Sequence, residues 1–484
     1  MTRLLSIDIG STYTKGALFQ LSDGELSVVA YAKTATTTSH LKEGFDQVRG
    51  TLDPDRTAPV AFSSSARGGL AIAAIGLVPD LTLKIAKQAA LSAGGKVVSV
   101  HAYKLGKDQR DELVALKPDI LLLAGGTDGG NESFVRFNAT QLAKLPARMV
   151  GQELPTVIYA GNAIIREDVA EELRAAGFEV AIASNLMPQM EQVEPDSARE
   201  QIREVFLRKI VHGKGLDEIV AEVGSEPLPT PLAVLNLTEA LRNDVPAFGD
   251  FILIDMGGAT TDVYSAGETI EQELRVMLRG VRDPEVKRSV EGDLGMRVSA
   301  GVAAHTAQAY LRQALGAERH VAFEAYMTRL ASAPEYLPQA GNEEDAFDRA
   351  LASACIHHAI LRHAGTWKRV FTAAGETFLQ YGKDLRQVRK VIGSGGYLSA
   401  IADFTPAEAI LPTDAQRSEI IHLIPERFTY YRDNGYLLPL LGNLVGNWRK
   451  PAVACAVACL REEGETCLRV PEITSTVSNQ SNHC

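Results

Sequence analysis

The chain is poor in the residues that staple or anchor a protein. Its 484 residues include five cysteines, Cys355, Cys455, Cys459, Cys467 and Cys484. An odd number spread through a long chain makes no disulfide framework and fits a reducing compartment. No run approaches the roughly 18 apolar residues of a membrane span. The longest candidate, Leu437 to Val445, is interrupted by Pro439, Gly442 and Asn443. The opening Met1-Thr2-Arg3-Leu4 runs into a strand pattern without the apolar stretch and small-residue cleavage site of a secretion signal. A cytoplasmic protein is therefore expected. There is no basic surplus either. Lys and Arg number 49 against 60 Asp and Glu, a net charge of −11, which argues against nucleic acid or an anionic membrane as the main partner.

With 45% hydrophobic and 23% charged residues, the composition is that of a soluble globular protein. The length exceeds one ordinary core, so two or three domains are expected. The most informative stretches are two matching aspartate-glycine loops, each after an apolar run. The first is Leu4-Leu5-Ser6-Ile7-Asp8-Ile9-Gly10-Ser11-Thr12-Tyr13-Thr14-Lys15, the second Phe251-Ile252-Leu253-Ile254-Asp255-Met256-Gly257-Gly258-Ala259-Thr260-Thr261-Asp262. Strand patterns on both sides of the first make it a strand-to-strand turn, unlike the strand-to-helix loops of Rossmann and Walker sites.

Gly10, Gly257 and Gly258 permit a tight backbone close to a phosphate. Their N–H groups, with those of Ser11, Thr12, Ala259 and Thr260, form an anion nest. The hydroxyls of Ser11, Thr12, Thr14, Thr260 and Thr261 add donors, and Lys15 adds a charge for the terminal phosphates. Asp8 and Asp255 would repel phosphate unless Mg²⁺ lies between them, so ATP with Mg²⁺ is the expected ligand. One Asp-Gly turn is common in hairpins; two in order are far more specific. A third piece, Gly393-Ser394-Gly395-Gly396, follows the apolar pair Val391-Ile392 and suits close packing on a base or ribose.

Along the chain, strands are expected at 4–9, 15–20, 26–33, 60–62 and 97–100, with a helix at 83–92. The middle section alternates strands at 119–124, 156–160 and 180–183 with a helix at 167–176, the pattern of parallel α/β pairing. Pro227, Pro229 and Pro231 read as a stiff linker before a strand Ala233 to Asn236. A mostly helical stretch follows from 300 to 381, and Leu398 to Ala402 opens another helix. The Ser/Thr/Asn-rich end is expected to be disordered. No solenoid repeat is present.

In order, the Asp8 loop, the Asp255 loop and the Gly393 turn resemble the phosphate-1, phosphate-2 and adenosine motifs of the ATPase superfamily of actin, heat-shock chaperones and sugar kinases. Within it, residues 1–465 resemble the MutL/GlmL family, accessory proteins of adenosylcobalamin-dependent glutamate mutase. Two further stretches carry that likeness: Leu123-Ala124-Gly125-Gly126-Thr127-Asp128-Gly129-Gly130-Asn131 and Val290-Glu291-Gly292-Asp293-Leu294-Gly295. The resemblance implies an α/β, two-lobed actin-like (ribonuclease H-like) ATPase fold with an inserted α/β region. The expected division is 1–105 as first lobe, 106–245 as insertion, 246–468 as second lobe and 469–484 as tail. It also implies an ATP-dependent reactivating chaperone that frees damaged cobalamin from glutamate mutase or a related aminomutase, and it leaves a homo-oligomer open. Asp8 and Asp255 would organise Mg²⁺, and Gly393, Ser394, Gly395 and Gly396 would pack on adenosine.

Two other functions stay open at this point, a small-molecule kinase on the same fold and an ATP-binding scaffold without useful turnover. Other residues have bland readings beside functional ones. Gly125 to Gly130 is a ligand loop or a tightly packed strand end. Glu291 and Asp293 are nucleotide contacts or a surface turn. Glu239 positions a water or is a solvated helix residue. His357, His358 and His363 share a helical stretch without acidic or Cys partners. Cys455 and Cys459 form a metal pair or, with no nearby His, part of the core.

Overall fold

The computed structural model describes residues 2–37, 39–65, 70–190, 192–211, 215–268, 276–316, 318–372, 375–410 and 420–467. The tail 469–484, expected to be disordered, lies outside the described residues.

The chain opens with an antiparallel meander, β1 (Thr2–Ile9), β2 (Tyr13–Ser22) and β3 (Glu25–Ala35). Helix Leu41–Leu52 turns Leu41, Phe45, Val48 and Leu52 inward, the spacing of a helix with one apolar face. Strand β4 (Val60–Ser64) then pairs parallel to β1. Here the chain leaves the sheet to build another. Strands β5 (Ala71–Gly76), β6 (Lys96–Ala102), β7 (Ile120–Leu123), β8 (Thr156–Tyr159) and β9 (Val180–Ile182) pair in the order β6-β5-β7-β8-β9, all parallel. Buried on both faces, β7 is an uninterrupted apolar run and β8 is apolar or aromatic after Thr156. The chain returns with β10 (Leu228–Pro229), which completes the first sheet in the order β10-β4-β1-β2-β3.

The second half repeats that scheme. Strands β11 (Phe251–Met256), β12 (Thr261–Ala266) and β14 (Val286–Glu291) are antiparallel, with β13 (Val276–Leu278) lying in a separate sheet. Helices Ala300–Thr306, Gln308–Leu315, His320–Ser332 and Glu343–His363 follow, then the hairpin β15 (Thr366–Thr372) and β16 (Gly375–Tyr381). Strand β17 (Lys390–Ser394) pairs parallel to β11, β18 (Ile420–His422) joins β15, and β19 (Arg427–Asp433) pairs parallel to β17. Strand β20 (Leu460–Cys467) closes the order β14-β12-β11-β17-β19-β20. Both mixed sheets thus carry three antiparallel strands followed by two parallel ones.

Helices Thr230–Asp244 and Leu437–Gly442 cross between the two sheets. A methyl on Gly442 would lie 2.3 Å from the Ala233 carbonyl oxygen, so only glycine lets these backbones approach so closely. Asn443 donates to the Ile7 carbonyl and Ser6 donates to the Leu440 carbonyl, tying the crossing to β1.

Several local expectations differ from this structure. Ala233 to Asn236 lies within helix Thr230–Asp244. Pro231 occupies its first turn, where a missing N–H costs nothing, and Ala233, Val234, Leu237 and Leu241 are buried at helical spacing. The stretch 300–381 is helical only to His363, beyond which alternating Thr366–Tyr381 forms the β15–β16 hairpin. Leu398 to Ala402 is a series of turns. Strands β5 and β6 already belong to the parallel sheet, and β10 rejoins the first sheet at Leu228, so the parallel-sheet region begins before residue 105 and ends before residue 245.

Candidate nucleotide site

The two Asp-Gly turns have the same construction. The Gly10 N–H donates to the Tyr13 carbonyl at 3.0 Å, and the Gly257 N–H to the Thr260 carbonyl at 2.9 Å. Asp8 stands opposite Lys15 in the first hairpin, and Asp255 opposite Asp262 in the second. The hairpins meet across a cleft of about 460 Å³. The second is braced from behind: Gly257 and Gly258 carbonyls accept from the Met296 and Arg297 N–H groups at 3.1 and 2.9 Å. Arg297 is itself held by Asp348, at 3.1 and 2.6 Å.

Asp8 is buried and held from three sides. Its Oδ1 accepts from Ser63 Oγ at 2.8 Å and Thr230 Oγ1 at 2.6 Å, and its Oδ2 from the Tyr436 hydroxyl at 3.1 Å. Burial pushes its pKa up, opposed first by the Thr230 hydrogen bond. The Lys15 ammonium sits 3.2 Å from the centroid of the Tyr436 ring. Burial lowers its pKa to about 8 against the pull of Asp8, Asp255 and Asp433. Asp433 is buried and accepts from Ser394 Oγ at 2.6 Å and the Leu437 N–H at 2.7 Å.

Asp255 is different. Burial, then repulsion from Asp262, pushes its pKa up to about 8. Among the cleft-lining carboxylates of the described residues, it alone has no hydrogen-bonding partner. Asp262 is clamped by Arg288, whose Nε and Nη2 donate to its Oδ1 at 2.8 and 2.6 Å. Asp345 accepts from the Gly341 N–H and Asp348 from Arg297. An unpartnered carboxylate among further carboxylates beside a phosphate-shaped nest fits Mg²⁺. No group of three or more His, Cys, Asp or Glu forms a protein-only metal cage among the described residues, and Mg²⁺ takes few carboxylates beside substrate phosphates.

Of the residues expected at the site, Asp8, Gly10, Ser11, Thr12, Lys15, Asp255, Gly257, Gly258, Ala259, Thr260, Gly395 and Gly396 line this cleft. Four do not. Thr14 points under helix Leu41–Leu52, its Oγ1 3.1 Å from Thr36 Oγ1. Thr261 donates to the Leu294 carbonyl at 2.7 Å. Side chains alternate along a strand, so Lys15 and Asp262 face the cleft and their neighbours Thr14 and Thr261 turn away. Gly393 backs onto the Tyr430 ring, and Ser394 is spent on Asp433. Gly395, at φ +97°, presses on Met256, where a methyl would lie 2.2 Å from the carbonyl oxygen.

The sequence reading does not include Thr230, Tyr436 and Asp433 among the site residues. Asp433-Asn434-Gly435 after a strand repeats the Asp-Gly turn signal, and that pattern could have marked it. Leu337, Pro338, Tyr397 and Ile401 also line the cleft. Among the described residues, the cleft-lining hydroxyls of Tyr397, Ser399 and Thr12 are buried without a protein partner.

The remaining candidates lie elsewhere. Glu291 and Asp293 are both bound by Arg362, at 2.7 Å each. Glu239 does not line the cleft, and burial raises its pKa. The Gly125 to Gly130 loop is satisfied internally: Asp128 accepts from the Ala163 N–H and Asn185, and Asn162 from the Gly129 N–H. His363 is buried between Ser289 and Ser265. Cys455 and Cys459 stand with sulfurs 3.8 Å apart on one helix.

Two lobes of one strand order, each presenting an Asp-Gly hairpin to a shared cleft, define an actin-like ATPase fold. The chain belongs to the MutL protein family, which matches residues 4–459. It is 36% identical over 463 residues to Protein MutL of Clostridium tetanomorphum, covering 94% of this chain and 98% of that one. Similar solved structures include nucleotide-free acetone carboxylase (12% identity, TM-score 0.38, 91% of this chain and 69% of that one). Xylulose kinase of Lactobacillus acidophilus gives 10% identity and a TM-score of 0.35, covering 97% and 94%. The nucleotide-free diol dehydratase-reactivating factor gives 8% and 0.30, covering 93% and 100%.

Proposed function

We propose that the chain binds ATP with Mg²⁺ between its two hairpins and uses the nucleotide to reactivate an adenosylcobalamin-dependent mutase. Glutamate mutase or a related aminomutase is the intended partner, and damaged cobalamin is what leaves. The observation that carries the ATPase part is the face-to-face meeting of the hairpins around an unpartnered Asp255 and an unclamped Lys15. The N–H groups of Gly10 and Gly257 close the turns, which leaves those of Ser11, Thr12, Gly258, Ala259 and Thr260 to donate to phosphate oxygens, and Lys15 adds its charge. Asp8 is kept in place by Ser63, Thr230 and Tyr436. Mg²⁺, when bound, neutralises phosphate charge. The mutase partner follows from the family resemblance.

The kinase alternative needs a free carboxylate to deprotonate an acceptor hydroxyl. Among the described residues Asp255 alone of the cleft carboxylates is unpartnered, and in this reading Mg²⁺ takes it. The nucleotide can drive release only through a differential affinity for open and closed lobes.

The test is cobalamin release from glutamate mutase blocked with cyanocobalamin, followed with Mg²⁺ and ATP. Release that needs ATP and disappears in Asp8→Ala supports the reading. Hydrolysis without release would reject the mutase as partner, and absence of ATP binding would reject the nucleotide site itself.

A further inference from the structure

The parallel-sheet region contributes to the cleft. Lys96, the first residue of β6, lines it, as do Thr230, Asp262 and Arg288. Among the described residues Lys96 makes no ion pair, and its side chain extends over Gly292. A methyl on that glycine would lie 2.0 Å from Lys96 Cε and 2.2 Å from Nζ. Gly292 directly follows Glu291, the strand partner of Thr261 in the second hairpin. The glycine therefore opens a slot that steers an unpaired ammonium to the turn end of that hairpin. This accounts for Gly292 in the Val290-Glu291-Gly292-Asp293-Leu294-Gly295 stretch, where the atoms nearest to an added methyl all belong to Lys96 and none to the hairpins. The approach is fixed from the other side, since Arg288, while clamping Asp262, also donates to the Gly95 carbonyl at 3.2 Å.

Resting on the ATP-site reading above, we propose that Lys96 binds the terminal phosphoryl group of the nucleotide. The parallel-sheet region then forms a third wall of the site, one that touches triphosphate but has nothing to touch in diphosphate. Lys15 serves the phosphates from the first lobe, and Lys96 serves the last of them from outside both lobes.

The experiment is titration of the full chain, with Mg²⁺, by a non-hydrolysable imido analogue of ATP and by ADP. A charged hydrogen bond is worth roughly a 10- to 100-fold change in affinity. Lys96→Gln is expected to weaken the analogue by about that factor and ADP by less than about threefold, while Lys96→Arg keeps most of the discrimination. Gly292→Ala, which displaces the lysine head, should copy Lys96→Gln, and the double variant should be no worse than either single one. Inorganic phosphate added with ADP separates two sources of the same chemistry. Tightening of ADP in the parent but not in Lys96→Gln would show that Lys96 also holds released phosphate. Equal losses for both nucleotides, or none, with an unchanged melting temperature would overturn the inference while leaving the ATP site standing. A parent chain that binds neither nucleotide would remove both.

Discussion

Thr12 and Gly258 face each other across the cleft so closely that a methyl on the glycine would lie 2.8 Å from the threonine Oγ1. One belongs to the first hairpin and the other to the second, so this is where the two halves of the proposed nucleotide site touch. Gly258→Ala places a wedge there. Thr12 is the end of a short side chain and can rotate, so the melting temperature should hardly move. Nucleotide affinity should fall by about tenfold, because a displacement near 1 Å at a positioned site is costly. Isothermal titration beside a thermal melt checks both halves of this expectation.

Asp255 makes the empty site dependent on pH in a direction its chemistry fixes. Its folded pKa is raised to about 8 from an ordinary 3.8, so the folded chain holds a proton that the unfolded chain has released. That contribution to stability is complete below the ordinary value and is lost as pH rises to about 8. Lys15, lowered to about 8, gives the opposite slope only above that value. Without nucleotide, the melting temperature should therefore fall between pH 5 and 8, flatten in Asp255→Asn, and recover when Mg²⁺ and ATP are added to the parent chain. The same variant should be the more stable protein at about pH 8 and the inactive one. Melting curves across pH, with and without ligand, test it; an unchanged slope in Asp255→Asn would contradict it.

Gly295 shows that part of the family signature supports the hairpin from behind. A methyl there would lie 2.5 Å from the Ala259 carbonyl carbon and 2.7 Å from the Gly258 oxygen. Both are backbone atoms and cannot swing aside. Gly295→Ala should cost about 1–3 kcal/mol of stability, as overpacking does, and weaken nucleotide binding with it. Urea unfolding measures the first effect.

What was legible in the sequence was local. Each Asp-Gly turn carries its own apolar strand, glycine and hydroxyl residues within a dozen positions, so Asp8, Lys15 and Asp255 could be read directly. Thr14 and Thr261 were chosen by composition, yet which face of a strand a residue presents depends on register with its neighbours. Thr230 and Tyr436 reach Asp8 from helix starts far along the chain, and no local pattern announces such a meeting. The duplicated sheet order was equally hidden, because a shared topology needs no shared residues. Helix Thr230–Asp244 was misread where prolines stand at its entry, the one place in a helix that tolerates them.

Strand β10 contains two residues, and it completes the first sheet from the far side of the whole parallel-sheet region. As the chain leaves the ribosome, β1 to β4 emerge first, but their last neighbour appears only after residues 65–227 have been made. Thr230, whose hydroxyl holds Asp8, emerges directly behind it. Long-range closure of this kind slows folding and leaves edges exposed meanwhile. The first lobe is thus begun early and finished late, and the nucleotide site has no complete first half until its third wall already exists.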